Sequence, residues 1–534
     1  MAYSFSYFSY QETGSFSRLA TDYLRLHKDL GPFYTFPPDE QGIHQAVRER
    51  GKYPVNRPIL VAALERQYAH LNKSDKVTEH ILALADENTY TVCTAHQPNL
   101  LTGYLYFIYK ILHAIKLADH LKQQHPGKNF VPVYYMGSED NDLEELGVFR
   151  FRGDKYVWDG GGQTGAVGRM STASLKDLLH QLFKVLGPPG TNCDELQALL
   201  ATAYLQHDTI GKATQYLVNE LFGRFGLIVL DPDDAALKST YIPVMENELL
   251  HQAAYPIITA QMGKLGEHYK VQAHPRPINL FYLADQIRER IEQQGDEWTV
   301  VNTNITWHKD ALLKELHEHP ERFSPNVMLR GMYQETILPN VAFIGGGAEV
   351  AYWLQLKTVF AHYHIYYPAI LLRQSVLWID HISAKMRQQL DLSIADLFKS
   401  ENELVKQHVL RHSTGDWQTD KEMAAIGQLL QQLKHKAIAV DPTLKSAAEA
   451  ALTKMKHQAE ALEKKMYRAE KRKMQVLLTK LNRLKSILFP GNGLQERVEN
   501  VSEYYLQYGI SFLDILMDGI KPAGNQFLVV EHNQ

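Results

Sequence analysis

The middle of the chain alternates short apolar runs with stretches of helical periodicity. Residues 90–94 are apolar and β-branched, which predicts a strand. Apolar residues spaced three and four apart then predict a helix between Leu105 and Leu121. Residues 131–136 predict a second strand, so the segment is a β-loop-α-β unit of the kind that builds parallel sheets.

The same rhythm returns further along the chain. Residues 227–230 predict a strand before a helix that begins near Ala235. Residues 341–344 predict a strand that a glycine loop joins to a helix over 348–360 and then to a strand over 366–372. Several units of this kind predict an α/β fold with a Rossmann-like, doubly wound parallel sheet.

After residue 380 the composition becomes typical of long helices. Ala, Glu, Lys, Leu and Gln dominate up to about residue 488, and strand patterns almost vanish. Apolar residues spaced by three or four predict a coiled-coil seam at Leu444, Ala448, Ala451, Met455, Ala459, Leu462, Met466 and Ala469. Another patterned helix precedes this one and Asp441-Pro442 lies between them, which predicts an antiparallel helical hairpin.

Length and these patterns divide the chain into four segments. At 534 residues the chain exceeds what one hydrophobic core usually organises. The predicted segments are a helical lead-in that packs on the core over 1–85, a Rossmann-like core over 86–380 with insertions near 150–215 and 240–335, an α-helical coiled-coil arm over 381–490, and a segment over 491–534 that returns to the core.

Charge and cysteine content exclude several classes of protein. The net charge of −4 gives no overall field that would attract nucleic acid or an anionic membrane. The two cysteines, Cys93 and Cys193, are too few for a disulfide framework and are not a CxxC zinc pair, which fits a reducing compartment. The sequence has neither a leader-like start nor a run of about 18 uncharged apolar residues. We therefore expect a cytoplasmic protein with no nucleic-acid or membrane partner.

The loop of residues 95–99 joins the first predicted strand to its helix. Ligands bind at this edge of an open parallel sheet. A phosphate or carboxylate could sit at the N-terminus of the helix, where His96 could donate a hydrogen bond to a phosphoryl group in transfer. The alternative is a capped turn in which His96 only satisfies backbone groups.

Three carboxylates follow the second predicted strand at the same edge of the sheet. They belong to Glu139, Asp140 and Asp142. Adjacent carboxylates repel each other unless a cation or a hydroxyl-rich ligand compensates, so they could bind a ribose, an amine or a metal. The alternative is a solvated acidic loop.

Further polar groups lie around the last predicted βα unit. Residues 345–347 are three glycines, which let the backbone approach a ligand or let strand and helix pack closely. Arg330 could pair with an anionic substrate or form a surface salt bridge. A polar cluster with Asn279 precedes Arg288 and Arg290, which we place on a helix. The sequence has no HExxH, GxSxG or EF-hand pattern, so metalloprotease, serine hydrolase and calcium-binding functions lack support.

Six short motifs, in their order and spacing, resemble one family. They are residues 94–103 (TAHQPNLLTG), 137–140 (GSED), 165–170 (GAVGRM), 324–330 (SPNVMLR), 347–353 (GAEVAYW) and 495–497 (QER). On these motifs the whole chain resembles the bacillithiol-biosynthesis cysteine-adding enzymes, the BshC cysteine ligases. The resemblance implies a core related to class I aminoacyl-tRNA synthetases, connecting insertions, and a coiled coil that forms a homodimer. It also implies that L-cysteine is joined through an amide bond to the amine of glucosaminyl malate.

The resemblance also implies roles for particular residues. The loop at 96–99 looks like the nucleotide-phosphate loop of class I synthetases, and the acidic residues look like groups that hold substrate hydroxyls or the amine. The candidate catalytic residues are His96, Asp140 and Asp142. The candidate substrate- or nucleotide-binding residues are Gln97, Asn99, Thr102, Gly103, Glu139, Asn279, Arg330, Gly345, Gly346, Gly347, Glu349 and Arg373. No metal-ligating residue is assigned.

Two positions depart from the family pattern. Asn141 stands where the family commonly has His, and Arg373-Gln374-Ser375 stands where a synthetase would carry a lysine-rich phosphate loop. Amide formation from a free carboxylate needs activation, so ATP with Mg²⁺ is the hypothesis. A base must accept a proton from the sugar amine, and the sequence does not choose among the three catalytic candidates.

Two other functions stay open at this point. One is a nucleotide-dependent ligase or nucleotidyl transferase that acts on another amino acid or sugar. The other is a non-catalytic, synthetase-like coiled-coil scaffold or RNA-binding protein. The acidic charge balance argues against RNA binding.

Overall fold

The computed structural model describes residues 3–412 and 420–533. Two compact units divide the chain: one lies in residues 1–379 and 493–534, and the other in residues 380–492. The strands are β1 (Tyr3–Phe8), β2 (Thr89–His96), β3 (Asn129–Met136), β4 (Val148–Phe151), β5 (Asp154–Val157), β6 (Ile228–Leu230), β7 (Leu280–Ala284), β8 (Ile287–Gln294), β9 (Glu297–Val300), β10 (Thr306–His308), β11 (Phe323–Pro325), β12 (Asn340–Gly345), β13 (Ala369–Leu372), β14 (Val376–Ile379) and β15 (Phe527–His532).

Helices connect these strands and make up most of the second unit. Those before β7 are α1 (Arg18–Leu24), α2 (Glu40–Arg50), α3 (Arg57–Gln67), α4 (Asp75–Ala83), α5 (Leu105–Gln124), α6 (Leu143–Leu146), α7 (Lys176–Val185), α8 (Thr191–Gln206), α9 (Ile210–Phe222), α10 (Ala235–Ser239), α11 (Ile242–His251) and α12 (Ala254–Gly266). Those after β7 are α13 (Lys309–Glu318), α14 (Arg330–Ile337), α15 (Gly347–Trp353), α16 (Lys357–His362), α17 (His381–Gln389), α18 (Glu401–His412), α19 (Asp420–Val440), α20 (Lys445–Lys473), α21 (Gln475–Leu488), α22 (Val501–Tyr508) and α23 (Ser511–Gly519).

A five-stranded parallel sheet forms the centre of the first unit. Its strand order is β13-β12-β2-β3-β6, and each neighbouring pair is parallel. From the central β2 the chain adds β3 and β6 on one side, and later β12 and β13 on the other. The predicted Rossmann-like, doubly wound sheet is therefore confirmed, and the order reverses between β2 and β12, where such sheets bind ligands.

The local sequence accounts for this arrangement. The apolar strand β2 is buried over its first six residues, and α5 is buried along much of its length. Helices α2 and α5 pack on the sheet through Ile43, Val47, Leu117 and Leu121, in one core with apolar residues of the central strands. Burial of these apolar side chains is the main force that holds helix and sheet together.

The segment predicted as the second insertion contains an antiparallel sheet. Its strand order is β10-β9-β8-β7-β11. Arg288 and Arg290 lie on β8, so the helix predicted for them is wrong. The reason is tertiary: Gln286 adopts a left-handed turn at φ 54°, and β8 then pairs with β7 on one side and β9 on the other. These pairings override the helix preference of a charged sequence.

The two ends of the chain meet in a three-stranded sheet of order β1-β15-β14. Tyr3 is opposite His532 in the antiparallel β1–β15 pair. The lead-in predicted as helical therefore begins with a strand, and its partner comes from the last residues of the described chain. The helix predicted over 348–360 is two helices, α15 and α16.

The second unit contains the predicted helical hairpin. Helices α19 and α20 pack together and are joined by a short turn that begins at Asp441, whose side chain caps it. Lys434 and Glu449 form an ion pair between the two helices at 2.6 Å. The predicted coiled-coil character of this region is therefore confirmed. Within residues 3–412 and 420–533, none of the helices has the length and apolar composition needed to cross a membrane.

A buried carboxyl in the first unit makes folding stability depend on pH. Glu335 accepts hydrogen bonds from Gln334 and Asn340, and burial raises its pKa from 4.5 to about 8. Between about pH 4.5 and pH 8 the Glu335 carboxyl is therefore protonated in the folded chain but ionised in the unfolded chain. This contribution to stability is full below about pH 4.5 and is lost as the pH rises towards 8.

Replacing the Glu335 carboxyl with an amide should remove this dependence of folding stability on pH. We expect Glu335→Gln to raise the denaturation midpoint at pH 8 and to change it little at pH 5, because a neutral amide has no charge to desolvate. The measurement is the denaturation midpoint of both proteins at each pH, with the exposed Glu65→Gln as the control. Equal shifts at both pH values would contradict the assignment.

Candidate active site

A cleft of ≈390 Å³ opens at the carboxyl ends of β2 and β12, where the strand order reverses. Residues from the β2–α5 segment, the β3 end, α14, the β12–α15 loop and the segment after β13 line this cleft. They are Ala95, His96, Gln97, Tyr106, Lys110, Tyr135, Gly137, Glu145, Val327, Arg330, Gly346, Gly347, Ala348, Glu349, Tyr352, Arg373 and Arg497. Its position and its charged lining make it the candidate active site.

His96 ends β2 and lies on one wall of the cleft. Its ring packs against the rings of Tyr106 and Phe107, with centroids 5.3 and 5.4 Å away. Burial lowers the pKa of His96 well below 6.5, and the charges of Lys110 and Arg373 lower it further. Its Nε2 atom is buried and has no hydrogen-bond partner in the described part of the chain. His96 is therefore a neutral imidazole at pH 7.

An ion pair between α5 and α15 lines the cleft. Lys110 of α5 pairs with Glu349 of α15 and also donates a hydrogen bond to the carbonyl of Ala95 at 2.9 Å. Burial lowers the pKa of Lys110, and Glu349 offsets part of that shift. Glu349 in turn accepts a hydrogen bond from the amide of Gly346 at 2.7 Å. The pair thus fixes the glycine loop relative to β2.

The glycine loop leaves room beside the backbone of the cleft wall. A Cβ atom built on Gly347 would meet no atom within 4 Å, so the backbone is open to the cleft at this residue. Gly345 lies behind it, where its carbonyl accepts a hydrogen bond from the amide of Arg373 at 2.7 Å. Gly346 and Gly347 therefore line the cleft, whereas Gly345 supports the loop.

Two arginines hold Asp140. Arg330 forms a two-pronged pair with it, with Nη1 to Oδ2 at 3.0 Å, and Arg288 contacts it at 3.2 Å. Burial alone would raise the pKa of Asp140, but Arg330 and Arg288 outweigh burial and keep the pKa below 3.8. Asp140 is therefore a poor proton acceptor at neutral pH. It fixes the guanidinium of Arg330, which lines the cleft.

Arg373 is fixed in the same way by a carboxylate from the end of the chain. Its guanidinium forms a two-pronged pair with Glu496 at 2.6 and 2.9 Å. Glu496 is fully buried and also accepts hydrogen bonds from Ser375 and the amide of Val376. This pairing explains why Gln495-Glu496-Arg497 belongs to the same site as the strand that precedes Arg373.

Several predicted site residues lie outside the cleft lining. Glu139 is buried in an ion pair with Lys238, and Asn279 is buried in hydrogen bonds with Glu248 and Asn326. Asp142 is exposed and precedes α6. The structure therefore brings together His96, Gln97, Arg330, Gly346, Gly347, Glu349 and Arg373, and it sets the acidic candidates Glu139 and Asp142 apart from them.

The end of the predicted loop and the turn that follows it are buried outside the cleft lining. Asn99 and Thr102 are 2% exposed, and each has a side-chain oxygen without a hydrogen-bond partner among the described residues. Gly103 has φ 66°, and a Cβ there would approach the Cβ of Asn99 to 2.9 Å. This turn therefore requires glycine, and it directs the chain into α5.

Lys110 and Glu145 line the cleft, although neither was predicted as a site residue. The sequence does contain a signal for Lys110, which is a lysine within a largely apolar helical segment. Residues 107–115 of α5 are all buried, and lysine is rarely buried without a partner. Burial, together with Asp142 and Asp140, raises the pKa of Glu145. No local pattern distinguishes this residue, in the acidic segment after β3, as one that faces the cleft.

Three carboxylates around the cleft are engaged with cations of the chain. Glu349, Asp140 and Glu496 each pair with a lysine or an arginine. Across 3–412 and 420–533, no group of three or more His, Cys, Asp or Glu side chains is arranged to hold a metal ion. The role of these carboxylates is therefore to fix the cations that line the cleft.

The fold and the cleft define a Rossmann-like α/β protein whose candidate active site is lined by fixed cations at the reversal point of its sheet. The chain belongs to the BshC family of bacillithiol biosynthesis: its N-terminal Rossmann-like domain matches residues 4–374 and its C-terminal coiled-coil domain matches residues 376–532. The family resemblance read from the motifs is thereby confirmed.

Relatives match over almost the whole chain. Proteins named "Putative cysteine ligase BshC" include one from Flavobacterium johnsoniae, 40% identical over 98% of both chains. Another, from Bacillus cereus, is 27% identical over 94% of this chain and 95% of the relative. A solved structure of a "putative arginyl t-RNA synthetase" from Campylobacter jejuni is 12% identical and covers 85% of this chain and all of its own, but its TM-score of 0.20 supports no conclusion.

Proposed function

We propose that this protein is a ligase that joins the carboxylate of L-cysteine to the amine of glucosaminyl malate, with ATP as the activator. The observation that carries the proposal is the cation-lined cleft at the reversal point of the sheet, in a chain related over its full length to proteins named cysteine ligases. Amide formation from a carboxylate and a phosphate-bearing activator needs preorganised positive charge, and the cations that line the cleft supply it.

Three cations of the cleft are the proposed binding groups for the anionic parts of ATP and cysteine. Lys110, Arg330 and Arg373 are each held in place by a carboxylate of the chain, so they are preorganised rather than mobile. We assign them to the phosphates of ATP and to the carboxylate of cysteine, with the open backbone at Gly347 beside them. ATP bound beside these cations would supply a leaving group for the carboxylate, and Mg²⁺ would neutralise charge on its phosphates.

His96 is the proton acceptor in this proposal. The sugar amine attacks the activated carbonyl carbon, a C–N bond forms, and the C–O bond to the phosphate-bearing group breaks. The nitrogen must lose a proton in this step, and we assign that proton to His96, which lines the cleft and whose Nε2 has no hydrogen-bond partner among the described residues. Asp140 is occupied by two arginines, and Asp142 is exposed outside the cleft lining.

Mass spectrometry tests the proposed reaction. Purified protein is mixed with glucosaminyl malate, L-cysteine, ATP and magnesium, and ATP is omitted from a parallel tube. We expect bacillithiol only where ATP is present. Product in both tubes would contradict ATP as the activator, and product in neither tube would contradict the ligase.

We also propose that the protein forms a homodimer through the helical arm. Several apolar side chains of the α19–α20 hairpin remain exposed: Leu429 at 59%, Leu433 at 53%, Met455 at 54% and Leu462 at 60%. Two of them, Met455 and Leu462, belong to the predicted seam. Exposed apolar residues at helical spacing are typical of a surface that a second helix pair covers.

Light scattering tests the dimer. We expect the mass of two 61.1 kDa chains at micromolar concentration, and a shift to monomer when Met455 and Leu462 are both replaced by lysine. Val476→Lys, an exposed apolar position on α21 outside the hairpin, is the matched control and should leave the dimer intact. A monomeric wild-type protein would overturn the proposal.

A further inference from the structure

A second cavity of ≈310 Å³ adjoins the active-site cleft. The two share three lining residues, Gly347, Ala348 and Arg497. The remaining lining comes from the segment that enters α1 and from the segment after α12, including Arg18, His268 and Lys270. We call this cavity the side lobe. It extends the cleft beyond the glycine loop.

The side lobe is lined by cations and by no carboxylate side chain. Arg18 pairs with Asp22 at 3.2 Å, and His268 lies 3.9 Å from Asp29. Arg497 and Lys270 are exposed, and neither has an ion pair or side-chain hydrogen bond with any residue in the described ranges. The lobe therefore presents two uncompensated positive charges.

The unpaired cations of the side lobe differ from most cations of the adjoining cleft. Lys110, Arg330 and Arg373 are each neutralised by a carboxylate of the chain. Arg497, at the boundary of the two cavities, is the cleft cation without such a partner among the described residues. A cation that the chain does not neutralise offers its full charge to a ligand's anionic group, whereas a paired cation offers only its remaining N–H donors.

We propose that the side lobe binds the two carboxylates of the malyl end of the amino sugar, through Arg497 and Lys270. This inference rests on the proposed ligase function and adds the site that selects the acceptor. The acceptor must place its amine in the cleft near His96 while its dicarboxylate end is held nearby, and the lobe joins the cleft at Arg497. The two unpaired cations, Arg497 and Lys270, match the two negative charges of a dicarboxylate. A nucleoside triphosphate carries more than two negative charges.

Steady-state kinetics test the site. For Arg497→Gln and Lys270→Gln, we expect the KM for glucosaminyl malate to rise roughly tenfold each, the usual loss for a charged hydrogen bond, while the KM values for cysteine and ATP stay unchanged. With methyl glucosaminide, an acceptor that lacks the malyl group, the variants should lose much less activity relative to the wild type than they do with glucosaminyl malate. Lys264→Gln, an exposed lysine of α12 outside the lobe, is the control.

Other outcomes would overturn the inference. A rise in the KM for ATP instead would assign the lobe to phosphate, and unchanged KM values for every substrate would show that the lobe binds none of them. Calorimetric titration of glucosaminyl malate into the wild type and Arg497→Gln measures the same contact without turnover. A protein that binds the amino sugar through Arg497 but forms no amide would keep this inference and refute the ligase.

Discussion

Replacing His96 with glutamine is expected to lower kcat for amide formation by roughly 10²- to 10⁴-fold, the usual contribution of a positioned general base. Glutamine keeps a polar side chain of similar reach but has no basic nitrogen at neutral pH. The KM for each substrate should change little, because the cations of the cleft remain in place. Initial rates of product formation at saturating substrate provide the measurement.

A buried histidine outside the cleft separates this effect from a loss of folding. His80 is 8% exposed, lies on α4 and contacts the carbonyl of Gly226 at 2.6 Å, and it does not line the cleft. His80→Gln should lower stability and leave kcat unchanged. If His96→Gln kept the wild-type kcat, His96 would not be the base, and Glu145, the cleft carboxyl without an ion pair in the described chain, would be tested next.

Replacing Arg373 with methionine is expected to destabilise the fold by about 3–5 kcal/mol, because Glu496 would remain as a buried charge without its partner. The same change removes a cation from the cleft, so activity should fall as well. The denaturant midpoint and the rate of product formation are measured on the same preparation. A loss below about 1 kcal/mol would contradict the buried pairing.

A double variant separates the structural and functional parts of this effect. Arg373→Met with Glu496→Leu removes both charges and should recover much of the lost stability, but not the activity. Recovery should be incomplete, because Ser375 and Val376 also donate to Glu496. As a surface comparison, Lys314→Met breaks an exposed pair with Glu318 and should cost at most about 1 kcal/mol.

Much of the central fold could be predicted because its signals are local. The strands β2 and β3 are continuous apolar runs, and α5 has a helical spacing of apolar residues, so each is recognisable from its own segment. The carboxyl ends of parallel strands meet at one edge of a sheet. The order of the elements along the chain is therefore enough to predict that His96 and the glycine loop lie close together.

The pairings that fix the site could not be predicted, because they join distant segments. Asp140 meets Arg330 across 190 positions, and Glu496 meets Arg373 across 123. For the same reason the β1–β15 pair was not predicted, and a helix was predicted for Arg288, which lies on strand β8. Local pattern indicates an element, but packing decides which charged groups neutralise one another.

The most direct test of the proposed ligase is the bond that it forms. L-Cysteine labelled with ¹³C at the carboxyl is incubated with ATP, magnesium and glucosaminyl malate labelled with ¹⁵N at the amine, and the product is examined by NMR. We expect a one-bond ¹³C–¹⁵N coupling that appears only with ATP and the wild-type protein. Turnover of cysteine and ATP without that coupling would contradict the proposed ligase.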